Sequence, residues 1–141
     1  MKKFEIIEHT ADIGIEAFGK DKKEVFINIA KGMFEIIAGK NINSKGNFLY
    51  KINITAENLE DLLIAWLNEL LYLSEVKLVI FNKFEIEELS DNHIKSGIEG
   101  IKISPEVHKI KKEIKAVTYH GLEFKKDEGS GLWRARVIFD I

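Results

Sequence analysis

The 141 residues, 45% hydrophobic and 31% charged, have the balance of a folded soluble protein, and their number suits one domain over 1–141 whose core needs no covalent staples. The 21 Lys and Arg against 23 Asp and Glu leave a net charge of −2, which excludes a global field drawing the chain onto nucleic acid. Cys is absent, excluding disulfides, thiolate metal sites and cysteine nucleophiles; with no signal-peptide pattern either, the cytoplasm is the expected location.

Phe4 to Ile7 reads as a short apolar strand, and Ile13 to Gly19 alternates with the period of two that a strand requires. Asp21 stands three residues ahead of Glu24, the spacing of a capping box with Asp in place of Ser. Beyond it Val25, Ile29, Met33 and Ile37 recur at i, i+4 spacing, with Phe26, Ala30 and Phe34 beside them. They form one apolar helix face, and Gly39 is its stop. Phe48, Tyr50, Ile52 and Ile54 alternate with polar residues as in a half-buried strand. From about Glu57 a second helix carries Leu59, Leu62, Leu63, Trp66, Leu67, Leu70 and Leu71 on an arc wide enough for burial on more than one side. Asn68 and Glu69 interrupt that apolar stretch, which is too short to span a bilayer, so no membrane association is expected.

After Leu78 the pattern changes to short alternating segments: 79–81, 83–89, 93–103, 110–119, 122–127 and 132–140. Asp91-Asn92 and Glu128-Gly129-Ser130-Gly131 punctuate them as turns. Strand, strand, helix, strand, helix and then a run of strands is the order of an α+β protein. Two helices packed on a mixed, largely antiparallel sheet are expected.

Three stretches hold residues with chemistry. Glu8 to Ile15, EHTADIGI, packs a histidine, a hydroxyl and an aspartate between two strands. Thr10 and Asp12 are able to cap backbone groups of a simple loop; alternatively His9 and Asp12 suit acid–base work, since imidazole titrates near neutrality. No serine sits in a nucleophile-elbow context to complete a hydrolytic set. At the other end Asp140 adjoins Ile141, whose α-carboxyl is ionised at neutral pH. Two such carboxylates repel unless they are solvated or neutralised by a cation, or by Arg134 or Arg136, which share the strand parity of Asp140. The third stretch is His108 to Lys115, HKIKKEIK. Ile110 and Ile114 break its basic run and no aromatic interleaves, so the solvated face of a strand fits it better than direct RNA contact. No His or Cys cluster has zinc spacing, and no Gly-rich loop opens a helix.

Together, EHTADIGIEAFG from Glu8, NLEDLLIAWLNELLYL from Asn58, KAVTYH from Lys115 and the final VIFDI resemble the archease family, in its order and along essentially the whole chain. The resemblance implies a cytoplasmic accessory protein that activates the GTP-dependent tRNA-splicing RNA ligase, the enzyme joining cyclic-phosphate and hydroxyl RNA ends. It promotes guanylylation of the ligase and multiple turnover. RNA contact is then indirect, and the chain is no enzyme itself. The family's divalent cation is held by an H-T-A-D aspartate, a penultimate aspartate and a terminal carboxylate, here Asp12, Asp140 and Ile141. Lys115, His9 and Thr10 are further positions carried over.

Three carboxylates are hard oxygen donors, suited first to Ca²⁺ and alternatively to Mg²⁺ or Mn²⁺. The physical expectation is that the first loop and the last strand lie side by side. Two other readings stay open: a small metal-dependent phosphohydrolase using the same acids with His9 as base, and a chaperone-like module for RNA-processing enzymes.

Overall fold

The computed structural model describes residues 3–8, 11–40, 46–104 and 110–141. They form β1 (Phe4–Glu8), β2 (Asp12–Gly19), α1 (Lys22–Ala38), β3 (Phe48–Thr55), α2 (Leu59–Lys77), β4 (Val79–Leu89), β5 (His93–Lys102), β6 (Ala116–Lys126) and β7 (Trp133–Asp140). The strands make two sheets, one ordered β1-β2-β7-β6 and the other β3-β5-β4. The α+β class, with two helices on antiparallel strands, is as expected. The single mixed sheet is corrected: the strands divide into two sheets, and every described pairing is antiparallel.

Local chemistry sets the helix ends. Asp21 caps α1 by accepting a hydrogen bond from the Glu24 N–H at 2.9 Å. At its far end Gly39 adopts φ 87°, and its N–H reaches the Glu35 carbonyl at 2.7 Å, where a side chain would be strained. Asn58 caps α2 through the Asp61 N–H at 2.8 Å. Leu78 closes α2 in the left-handed region at φ 55°, and Ser74 Oγ donates to the Val79 carbonyl at 2.7 Å, so the helix turns directly into β4.

Each helix touches both sheets: α1 packs on β2 and β4, and α2 on β6 and β4. This places Phe26, Trp66, Phe81 and Phe139 at full burial in one continuous core. Trp66 lies 5.7 Å from Phe26 between ring centres and donates from Nε1 to Ser96 Oγ at 3.0 Å, tying α2 to β5 inside the core.

Two strand boundaries differ from the sequence pattern. Residues 79–81 and 83–89 are one strand, with register shifts between Phe81 and Lys83 and between Ile86 and Glu88. Residues 116–119 and 122–126 are likewise one strand, with an irregularity between Thr118 and Glu123 where Gly121 takes φ 65°. The basic run is not a strand over 110–115. It crosses the end of α1, donating the Lys111 N–H to the Ile37 carbonyl at 2.7 Å, while Ile114 is buried. His108 and Lys109 lie outside the described residues.

Candidate metal centre

The two central strands of the larger sheet carry the first and last acids of interest. In the β2–β7 ladder Asp12 is the register partner of Asp140, and in the β6–β7 ladder Ala116 is the partner of the same residue. The Lys115 N–H donates to the Asp140 carbonyl at 2.8 Å, so Lys115 extends the pairing one residue past the strand. Asp12, Asp140 and the start of β6 therefore form one row across the sheet end. Directly opposed residues project to the same face with Cβ atoms about 5 Å apart.

Asp12 is half-buried, Asp140 and Lys115 are exposed, and Ile141 is half-buried with its side chain packed on the core. That packing holds the last residue against the protein beside Asp140. His9 and Thr10, expected to belong to this cluster, lie outside the described residues.

The electrostatics of the row are unfavourable as they stand. Carboxylates directly opposite one another repel. Asp12 Oδ1 is shielded from solvent and has no hydrogen-bond partner among the described residues. Leaving a buried acceptor unsatisfied costs about 1–3 kcal/mol, more for a charged group. A cation placed between the two acids would answer both costs.

Arginine does not answer them. Arg134 is six positions before Asp140 on β7, about 20 Å away at ~3.3 Å per residue. It pairs with Glu123 Oε2 at 3.2 Å and Glu16 Oε2 at 3.6 Å. Arg136 stands opposite Glu16 and Glu123 in register. The local ion pair left open by strand parity is thus corrected: Arg134 serves the middle of the sheet.

The donor set fits a hard cation. Among the described residues no three His, Cys, Asp or Glu side chains gather as metal ligands. Side chains then offer two carboxylates, Asp12 and Asp140, and a third would come from the α-carboxylate of Ile141. Such an all-oxygen set suits Ca²⁺, Mg²⁺ or Mn²⁺, and it leaves part of a 6–8-oxygen calcium shell to other donors.

Asn68 on α2 was legible in the sequence only as a polar break in an apolar stripe. Its Oδ1 accepts from the Val117 N–H at 3.1 Å and its Nδ2 donates to the Val117 carbonyl at 3.4 Å. Thr118 Oγ1 donates to the Ile138 carbonyl at 3.0 Å, closing β6 onto β7 near the same end. Tyr119 is exposed, and its hydrogen bond to Asp61 raises the phenol pKa. No helix among the described residues is long and apolar enough to cross a membrane.

Comparison with known proteins agrees over the whole length. The model of the Archease protein family matches residues 4–141. The protein archease of Methanosarcina mazei is 44% identical over 144 residues, covering 99% of this chain and 97% of that one. That of Pyrococcus abyssi is 36% identical with both chains fully covered. The solution structure of Methanobacterium thermoautotrophicum protein 1598 superposes with a TM-score of 0.82 at 36% identity, covering both chains completely. A Thermotoga maritima crystal structure, described as an archease and possible chaperone, gives a TM-score of 0.66 at 25% identity over 96% of this chain and 94% of its own. By fold and by sequence along its length, this chain belongs to the archease family.

Proposed function

We propose that this chain is an accessory protein that activates the GTP-dependent tRNA-splicing RNA ligase, acting through a divalent cation, Ca²⁺ first, held by Asp12, Asp140 and the Ile141 carboxylate. The observation that carries the reading is the register pair Asp12–Asp140 with a shielded carboxylate oxygen that has no hydrogen-bond partner among the described residues. The choice of partner follows what the archease resemblance implies. Asp12 and Asp140 hold the ion at the sheet end, and the packed Ile141 side chain presents the third oxygen. Lys115 adds a positive charge beside the acids, suited to a phosphate oxygen of the ligase's nucleotide. Bound there, the cation supplies charge neutralisation at phosphate oxygens, a recognised aid to phosphoryl-type transfer. On this reading guanylylation takes place on the ligase, in the cytoplasm, and this chain performs no chemistry of its own.

The test is ligation of cyclic-phosphate RNA by the cognate ligase with GTP. Wild-type chain is expected to convert a single turnover into many, and Asp12→Ala to lose that effect while remaining folded by circular dichroism. Equal turnover with the variant overturns the reading. The label on the Thermotoga structure and the exposed Tyr72, Val76 and Leu78 favour a second reading, a chaperone-like module for RNA-processing enzymes. It predicts instead that Asp12→Ala retains activity and that an apolar-surface variant loses it.

A further inference from the structure

Asn68 is a half-buried polar residue in a helix whose buried positions are Leu, Ile and Trp apart from Ser74 near its end. Burying an amide there costs stability unless its hydrogen bonds are made. They are made to a single residue, since Val117 offers both its N–H and its carbonyl to the same side chain. The two main-chain groups of a strand residue point the same way, so those of Val117 point away from β7. β6 is an edge strand, whose outward groups ordinarily await water or another chain. At Val117 the helix satisfies them instead.

The position of that clamp matters. Val117 pairs in register with Phe139, the neighbour of Asp140, and lies two residues beyond Lys115, whose N–H holds the Asp140 carbonyl. Val117 and Phe139 are both buried, so the clamp acts on the packed root of the site. We infer that Asn68 is a positioning residue for the cation site, fixing where Lys115 and Asp140 stand relative to Asp12. The inference rests on the cation reading above.

The experiment measures Ca²⁺ affinity by calorimetry and amide hydrogen exchange at 115–117 in wild type, Asn68→Ala and Asn68→Leu. Ala favours the helix, and Leu, close to Asn in size, keeps the α2 packing, so one variant remains informative should the other fail to fold. Ser96→Ala serves as control, because it removes the Trp66 hydrogen bond in the other sheet and perturbs stability away from the site. Both Asn68 variants are expected to weaken Ca²⁺ binding roughly tenfold, as supporting residues of metal sites do. The Val117 amide should also exchange faster, while the control keeps wild-type affinity. Unchanged affinity in the Asn68 variants, or an equal loss in Ser96→Ala, overturns the inference alone. A wild-type chain that takes up no Ca²⁺ overturns the cation reading and the inference with it.

Discussion

Asp12 is a half-buried acid set opposite a second acid, with one oxygen shielded and without a donor among the described residues. Without a cation, both features subtract from stability. Asp12→Ala is therefore expected to melt no lower than wild type in chelator, and as much as about 1 kcal/mol more stable if relief of like-charge opposition dominates. Added Ca²⁺ should raise the Tm of wild type only, since a ligand stabilises the state that binds it. A variant that melts well below wild type in chelator would mean that Asp12 is a structural residue. The neighbouring prediction concerns Ile141. A short tag after it converts the carboxylate to an amide, and calorimetry should show weaker Ca²⁺ binding with the fold unchanged. Equal affinity would remove the terminus from the ligand set.

The hairpin of β6 and β7 carries its own electrostatics. The Glu123 carboxyl is held below its usual range first by Lys125 and then by Arg134, and Asp127 is lowered by hydrogen bonds from Ser130 and the Gly129 N–H. A depressed carboxyl contributes stability that is present above the unfolded pKa and lost as pH falls through the folded one. Melting temperature should thus drop on the acid side of about pH 4, and Glu123→Gln should flatten that limb. An identical acid limb in the variant would assign the loss to other carboxylates.

These strands also show what local pattern can convey. α1 was legible because Asp21, the i, i+4 apolar face and Gly39 are all local signals. β6 was not, because an irregularity at Gly121 breaks the alternation without ending the strand, and because the Lys-rich run before it alternates like a strand while crossing the end of a helix. Asn68 was visible as a flaw in an apolar stripe, but its partner lies 49 residues away. The division into two sheets rests on pairings between residues still further apart in β2 and β7, from Gly19–Trp133 to Asp12–Asp140. It rests also on the β3–β5 ladder from Phe48–Gly100 to Thr55–His93.

Across the whole molecule, the sheet order brings the beginning and end of the chain together. β2 and β7 are the two central strands of the larger sheet, and their ladder runs from Gly19–Trp133 to Asp12–Asp140. α1 and α2 bridge this sheet to the smaller one, so the rows behind the acids rest on Phe139, Trp66 and Phe26 at full burial. Such backing suits a site that must keep repelling groups in register. Sequence likeness pointed to Asp12, Asp140 and Ile141; only the register shows that the two aspartates face one another.

The claim that they hold one ion together is tested most directly by a double-mutant cycle in Ca²⁺ affinity, with Asp12→Ala, Asp140→Ala and the pair. Shared coordination predicts that either single substitution removes most of the binding and that the double variant loses little more. Wild-type affinity in either single variant, or losses that simply add, would contradict it.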